Sequence, residues 1–179
     1  CNTLRGFGPA FQGYKMNYYN EETHPDQKYF LKEECEKMLD EIHPALAEVI
    51  RRAQAISDVQ LKVIHGKRTG TQQSEFFRKG VTNGTNSPHL YGTAVDILPV
   101  IEGRICPEAE AGDEVATVVK YAAEDLNTPI RWGGAWHIND ITKWTGLMED
   151  LSTYYLEQAI SNNVRPQLDT QHFELSIEE

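Results

Sequence analysis

A single acidic residue interrupts the most strand-like segment of this chain. Asp96 lies inside the run AVDILPV, whose other members are apolar and which therefore predicts a buried β-strand. A buried carboxylate is costly unless a cation, a dense set of hydrogen bonds or a metal ion compensates its charge. His89 and Gly92 precede Asp96 in SPHLYGTAVDI, so this strand and the loop before it are the first candidates for a functional site.

Strand geometry decides which of these side chains can meet. Alternation places Ala94, Asp96 and Leu98 on one face of the predicted strand. His89 lies seven residues before Asp96, and this odd separation would put it on the opposite face of a continuous strand. Gly92 can break the strand, and the loop can then fold His89 back toward Asp96.

A second cluster of histidine and acidic residues occurs near the C-terminus, in DTQHFEL. His172 and Glu174 share one face of a predicted strand, and Asp169 stands in the turn that enters it. Two histidines and an aspartate suit a zinc ion, which keeps a fourth position for water when it is catalytic. A nearby acid that does not bind the metal can take a proton from that water. Spacing alone leaves the alternative open that Asp96 and His89 form a structural hydrogen-bonded pair.

Composition restricts the classes of protein to which the chain can belong. Its 179 residues are enough for one domain with a substantial core, and 40% hydrophobic and 25% charged residues are ordinary values. The formal net charge of −10 argues against a nucleic-acid-binding protein, which normally carries a basic face. No apolar run is long enough to span a bilayer, so we expect no stable membrane insertion. We also expect a monomer with no nucleic-acid partner.

Helix and strand signals are mixed along the chain. The strands are predicted at LKVIHG, TAVDILPV, PIRWGG and HFEL, and we expect the second of them to stop at Pro99. Apolar spacing predicts helices that begin at Asp26 and at Pro44 and that occupy 71–80, 113–126 and the centre of 135–168. Neither regular βαβ alternation nor a nucleotide-binding glycine pattern occurs. This organisation favours an α+β domain with a small antiparallel sheet flanked by helices.

Four blocks of the sequence resemble one known family. SPHLYGTAVDI resembles the S-x-H-x-x-G-x-A-x-D motif of the zinc D-alanyl-D-alanine carboxypeptidases and dipeptidases, which include the vancomycin-resistance enzymes and the phage L-alanyl-D-glutamate endolysins. LKVIHGKRTGTQQSEFF resembles the family's strand, arginine and glutamine-bearing helix, IRWGGAW its W-G-G-D-W element, and DTQHFEL its closing D-x-x-H-F-E segment. The blocks keep the family's order, so the joint match is more specific than any single block. The resemblance implies a hedgehog/D,D-peptidase-like single domain over residues 1–179.

The same resemblance implies roles for individual residues. His89, Asp96 and His172 correspond to the ligands of Zn²⁺. Asp169 corresponds to the general base, and an aspartate rather than a glutamate at this position is typical of the endolysins. Arg68 corresponds to the arginine that stabilises the developing oxyanion, a role that suits its permanent planar charge.

Further positions have less direct counterparts in the family. Ser87, Gln72 and Trp132 match positions near the substrate, and Glu174 is expected to support a ligand histidine. We interpret the remaining histidines as structural residues, namely His24, His43, His65 and His137. The three cysteines form no zinc pattern or disulfide framework and lie far apart, at Cys1, Cys35 and Cys106.

Two features depart from the family pattern. Ala135 stands where the family usually has an aspartate, and the loss of that acid is expected to affect substrate contacts more than zinc binding. A helical insertion at about 137–166 separates the tryptophan element from the closing block. We expect this insertion to lie over or beside the cleft, where it would narrow access or bind a partner.

Together these patterns predict a zinc metallopeptidase that acts on the stem peptide of bacterial peptidoglycan. The favoured activity is that of an L-alanyl-D-glutamate endopeptidase. A D-alanyl-D-alanine carboxypeptidase and a non-catalytic, zinc-stabilised binding module, as in the hedgehog signalling domain, remain the alternatives. The N-terminal residues lack the apolar core of a signal peptide. If the chain is phage-encoded, we expect cytoplasmic synthesis and action at the bacterial cell wall or in the periplasm.

Overall fold

A computed structural model describes residues 29–82 and 84–176 of the chain. The described elements are α1 (Glu33–Asp40), α2 (Pro44–Ile56), β1 (Gln60–His65), α3 (Gly70–Arg78), β2 (Ala94–Ile101), β3 (Arg104–Ile105), α4 (Ala109–Asp125), β4 (Ile130–Trp132), α5 (Met148–Ser161) and β5 (His172–Leu175), with 3₁₀ turns at Pro88–Tyr91 and Ile141–Lys143. Cys1, His24 and the helix start predicted at Asp26 lie outside the described residues. The first described helix therefore begins later than predicted, at Glu33.

The strands form one antiparallel sheet in the order β1-β2-β5-β4, and the short β3 pairs with the far end of β2. One face of the sheet is apolar and packs against α4, which in turn packs against α2. The opposite face carries Asp96 and His172, which are paired across β2 and β5. This arrangement confirms the α+β class and the small antiparallel sheet, and it separates a structural face from a polar face.

Strand β2 does not stop at Pro99 as predicted but continues to Ile101. Pro99 is paired with Leu61 of β1, and its carbonyl accepts a hydrogen bond from the Cys106 N–H. The N–H and the carbonyl of a strand residue point to the same edge, so the missing N–H of Pro99 would face the edge of β2 that carries Cys106. Strand β5 pairs with this edge only at Ala94–Asp96 and does not extend to Pro99. The strand tolerates the proline because no β5 carbonyl faces it at this position.

Local chemistry explains where the flanking helices begin. Pro44 occupies the first turn of α2, where a missing N–H costs nothing, and the His43 Nδ1 accepts from the Ala45 N–H. Thr69 and Gln72 form a reciprocal capping box at the start of α3. These contacts place the loop between β1 and α3 beside the polar face of the sheet.

The segment predicted as a helical insertion contains the second 3₁₀ turn and α5. Helix α5 packs against α4, and Ile141, Met148 and Leu151 are buried in the same hydrophobic cluster as the sheet. The segment is thus part of the common core, and its apolar side does not form a detachable cover. That α5 is an insertion relative to the family stays a prediction. None of the described helices combines the length and the apolar composition needed to cross a membrane.

Candidate metal centre and active site

Three strands bring one acid and two histidines into a row on the polar face. Asp96 of β2 is the cross-strand partner of His172 on β5 and of His65 on β1. Cross-strand partners have neighbouring side chains on the same face of a sheet. Asp96 and His172 are buried, whereas about a third of the His65 side chain is exposed.

His89 reaches Asp96 because the chain reverses between them. It lies in the 3₁₀ turn Pro88–Tyr91, which Ser87 caps by accepting from the His89 N–H. The turn ends at Gly92 with φ of 69°, a left-handed conformation that glycine adopts without a steric penalty. A Cβ on Gly92 would also meet the Glu41 carbonyl oxygen at 3.3 Å. The role that the sequence predicted for Gly92 is confirmed.

The three predicted ligand atoms converge. Asp96 Oδ1 lies 3.1 Å from His89 Nε2 and 3.0 Å from His172 Nδ1, and the two nitrogens are 3.3 Å apart. A tetrahedral zinc ion with bonds of about 2.0–2.1 Å would hold its ligand atoms about 3.3 Å from one another. Among the described residues, these are the side chains that can jointly offer ligand atoms to one metal ion.

The outer hydrogen bonds of the two histidines fix which nitrogen each neutral ring offers to the cluster. His89 Nδ1 lies 2.8 Å from the Gly66 carbonyl oxygen, which can only accept, so Nδ1 carries the proton. His172 Nε2 lies 3.1 Å from Glu174 Oε2 and donates to that carboxylate. With both rings neutral, two nitrogen lone pairs and a carboxylate oxygen would face one another, which is the donor set that a divalent cation requires.

The charges at this cluster favour a cation. Burial alone would raise the pKa of Asp96, but hydrogen bonds with His172, His65 and His89 hold it well below its ordinary value. Burial opposes the charged form of His172, yet its bonds to Asp96 and Glu174 raise its pKa to about 9. A metal ion at His172 Nδ1 thus competes with a proton, so metal binding should weaken at acidic pH.

Arg68 is held directly against the cluster. Its Nη2 donates to Asp96 Oδ2 at 2.8 Å, and its guanidinium lies 4.9 Å from the ring centroid of Phe76. Burial lowers the pKa of Arg68, and the charges of Asp96 and Asp169 oppose that effect. The buried Nε has no hydrogen-bond partner among the described residues. Arg68 therefore neutralises the outer oxygen of Asp96 and retains unused donor capacity.

Asp169 stands at the entry to β5, outside the ligand cluster. Its backbone N–H donates to the Gly133 carbonyl at 3.0 Å, and its carbonyl accepts from the His172 N–H at the same distance. Burial raises the pKa of the Asp169 carboxyl, and the negative charge of Asp96 adds to that rise. An acid with a raised pKa close to a predicted metal centre is suited to proton transfer.

Comparison with known proteins agrees with this arrangement. Residues 28–148 match the family model of the phage L-alanyl-D-glutamate peptidases. The chain belongs to this family. Over 106 residues it is 30% identical to the L-alanyl-D-glutamate peptidase of Escherichia phage T5, a match that covers 57% of this chain and 77% of the relative. The fold is similar to the crystal structure of the Serratia marcescens L-Ala D-Glu endopeptidase ChiX, with a TM-score of 0.61 and 27% identity over 83% of this chain and 91% of the other.

The phage L-alanyl-D-glutamate peptidase match ends where α5 begins. Together with the similarity to ChiX, it confirms the family and fold that the four sequence blocks indicate. Ala135 is fully buried in the hydrophobic cluster. The expectation that its substitution for an aspartate affects substrate contacts more than zinc binding stays a prediction.

The three predicted substrate-binding residues differ in their surroundings. The prediction for Trp132 is wrong, because its side chain is fully buried, lies 6.5 Å from Phe173 between ring centroids and belongs to the apolar face of the sheet. Gln72 Oε1 accepts from the Thr69 N–H and hydroxyl, so the capping box accounts for its side chain. Ser87 caps the turn that carries His89 and also lines a groove.

Four residues that sequence reasoning missed lie at or beside the centre. His65 Nδ1 is 3.0 Å from Asp96 Oδ2, which corrects its interpretation as an unconnected structural histidine. Gln73, adjacent to the predicted Gln72, is fully buried and accepts from Arg68 at 3.4 Å. Trp136 and Arg131 pack together next to His172 and Glu174. The two adjacent glutamines and the two tryptophans of W-G-G-A-W indicated the segments that contribute to the site. They did not indicate which glutamine or which tryptophan faces it.

A groove of about 1120 Å³ opens beside the candidate metal centre. Glu174 connects the two, because it lines the groove and accepts a hydrogen bond from His172, one of the three predicted ligands. Lys143 of the second 3₁₀ turn lines this groove. Its charged lining residues are Arg131, Asp140, Lys143 and Glu174, and its uncharged ones include Ser87, Tyr91 and Trp144.

Proposed function

We propose that this protein is a zinc-dependent endopeptidase that hydrolyses the L-alanyl–D-glutamyl bond of the peptidoglycan stem peptide. The observation that carries the proposal is the convergence of His89 Nε2, Asp96 Oδ1 and His172 Nδ1 within 3.3 Å of one another in a chain of this family. The relatives it resembles are named as L-alanyl-D-glutamate peptidases or endopeptidases. Action at the bacterial cell wall follows from this substrate.

His89, Asp96 and His172 would hold the ion. When bound, a zinc ion supplies Lewis acidity that polarises a carbonyl group and makes water a stronger acid. The protein contributes the orientation of the ligands. Gly66 and Glu174 fix the two imidazole rings, while Arg68 and His65 occupy the outer oxygen of Asp96.

Asp169 acts as the general base in this proposal. Its carboxylate takes a proton from the attacking water and returns it to the amine of D-glutamate as the peptide bond breaks. The raised pKa of the Asp169 carboxyl suits both steps, because a base that is too weak cannot accept the proton. Arg68 assists through the donor capacity that its bond to Asp96 leaves free, which it can direct at the negative oxygen of the tetrahedral intermediate.

Digestion of purified sacculi tests the proposal and separates it from its alternatives. The expected products carry new free amino groups on D-glutamate. Release of free D-alanine instead would identify a D-alanyl-D-alanine carboxypeptidase. Metal analysis of the purified protein should find one zinc ion per chain. The same three ligands can also bind other divalent ions.

The variant Asp169→Ala distinguishes an enzyme from a binding module. We expect it to retain zinc and to lose hydrolysis of every muropeptide, because the acid is not one of the three ligands. A wild-type protein that binds zinc but hydrolyses no muropeptide would refute the endopeptidase proposal and favour the binding module.

A further inference from the structure

Arg131 joins two groups that both contact the ligand His172. It lies in the middle of β4, directly across from Glu174 of β5. Its Nη1 donates to Glu174 Oε1 at 3.3 Å, and its Nη2 donates to the Trp136 carbonyl at 2.9 Å. The guanidinium carbon also lies 5.0 Å from the centroid of the Trp136 ring. One side chain thus restrains a carboxylate and an indole at the same time.

Both restrained groups act on the same imidazole. The second oxygen of Glu174 accepts from His172 Nε2 at 3.1 Å, which sets the tautomer that presents Nδ1 to the predicted metal. The Trp136 ring packs 5.4 Å from the His172 ring, centroid to centroid. Rotation of His172 is therefore limited by a hydrogen bond on one edge and by ring packing, and Arg131 supports each of them.

We infer that Arg131 is a positioning residue that fixes His172 as a metal ligand through Glu174 and Trp136. The role requires a planar group with several donors, because one nitrogen must reach the carboxylate while another reaches the Trp136 carbonyl. A lysine has a single nitrogen and can serve one partner well, but not both in this geometry. The inference rests on the proposed metal centre, and its main readout does not depend on catalysis.

The test compares Arg131→Met and Arg131→Lys with a matched control. Arg51 provides the control, since it is a partly buried arginine whose Nε and Nη2 donate to Glu36 and Asp40 at 2.8 Å, on α1 and α2, neither of which carries a residue of the cluster. Zinc affinity is measured by competition with a chelator in the full-length protein. The absorption spectrum of the cobalt-substituted protein reports the geometry around His172, which a general loss of stability would not change.

Removal of outer hydrogen-bond partners typically weakens metal affinity by about 10- to 100-fold. Because Arg131 acts one step further out, we expect Arg131→Met to lower zinc affinity by about tenfold and to alter the cobalt spectrum. Arg131→Lys should recover part of that loss, and Arg51→Met should bind zinc as the wild type does. Combining Arg131→Met with Glu174→Gln should cost less than the product of the two single effects, because both act on His172.

Three results would overturn the inference. The first is a folded Arg131→Met protein with wild-type zinc affinity and cobalt spectrum. The second is an equal loss in Arg51→Met, and the third is complete recovery in Arg131→Lys, which would show that charge alone suffices. If Arg131→Met does not fold, the lysine variant decides by the same measurements. Failure of the wild type to cleave peptidoglycan would refute the proposed function and leave these affinity measurements interpretable.

Discussion

Gly133 offers a steric probe of the proposed general base, because its missing side chain is what allows Asp169 to approach. A Cβ built on Gly133 would lie 2.3 Å from the Asp169 carbonyl oxygen and 2.9 Å from Trp136 Cζ2. Real Cβ atoms essentially never come within 3.0 Å of such atoms, so the Asp169 carbonyl and the Cβ in Gly133→Ala must separate by at least about 0.7 Å, which displaces Asp169 relative to β4.

The expected magnitude follows from that displacement. A misplacement of about 1 Å in a catalytic group can cost on the order of 10²-fold in rate, so we expect kcat to fall by about 10- to 100-fold. Overpacking of this kind costs about 1–3 kcal/mol of stability, which a domain of ordinary stability survives. Zinc affinity should also fall, but by less than kcat, because the crowded Asp169 carbonyl and Trp136 ring contact His172 while none of the three ligand atoms is itself crowded.

Initial rates on a soluble muropeptide, zinc titration and thermal unfolding are measured on the same preparations. Gly70→Ala is the control, since a Cβ there meets no heavy atom within 4 Å. A folded Gly133→Ala protein with wild-type kcat would refute the reasoning, because Asp169 would then have moved without consequence. An equal loss of zinc affinity and of kcat would refute it as well, since the defect would lie in the metal centre.

Three further predictions test other parts of the structure. Asp169→Asn should lower kcat by about 10²- to 10⁴-fold in muropeptide hydrolysis. Because the pKa of Asp169 is raised in the folded state, its carboxyl favours folding only while it is protonated, and this contribution is lost as pH rises through that pKa. After chelator treatment, Asp169→Asn should therefore unfold at a higher temperature than the wild type at pH 7 and at the same temperature at pH 3. Leu151→Ala should cost about 2–5 kcal/mol in urea unfolding with unchanged zinc affinity, and a smaller cost would show that α5 is not part of the core. Gln72→Ala should lower the free energy of unfolding by about 1 kcal/mol, because it removes the capping box of α3, and should leave the KM for muropeptide unchanged. Gln73→Ala should instead lower kcat, because Arg68 loses a hydrogen-bond partner.

Part of the candidate ligand set could be predicted from local sequence, because His89 and Asp96 lie seven residues apart along the chain. Asp96 is conspicuous in an apolar strand, and Gly92 provides the reversal that brings His89 back to it. His172 needed the family resemblance as well, since spacing alone does not show that β5 pairs with β2. That pairing is a long-range contact, and its register places His172 directly across from Asp96.

Sequence alone could not decide which of two similar residues faces the site. Trp132 and Trp136 flank the same glycine pair, but β4 directs the first into the core while the second follows the turn and packs near His172. Gln72 and Gln73 are adjacent on α3, and a step of about 100° around the helix axis separates a capping residue from a partner of Arg68. In each pair the residue type and the motif are the same for both members, so sequence alone does not distinguish them.

His65 shows how a single inserted residue hides a site residue from sequence analysis. Val63 faces the core opposite Ile97, so strict alternation would direct His65 into the core as well. The register shifts by one residue between Val63 and His65, which is a β-bulge, and His65 becomes the partner of Asp96 instead. Its bond to Asp96 Oδ2 joins that of Arg68, and the two together leave Oδ1 as the oxygen that faces both ligand histidines. The bulge therefore helps to determine which oxygen of Asp96 is available to a metal. The residue types in QLKVIH do not predict this bulge.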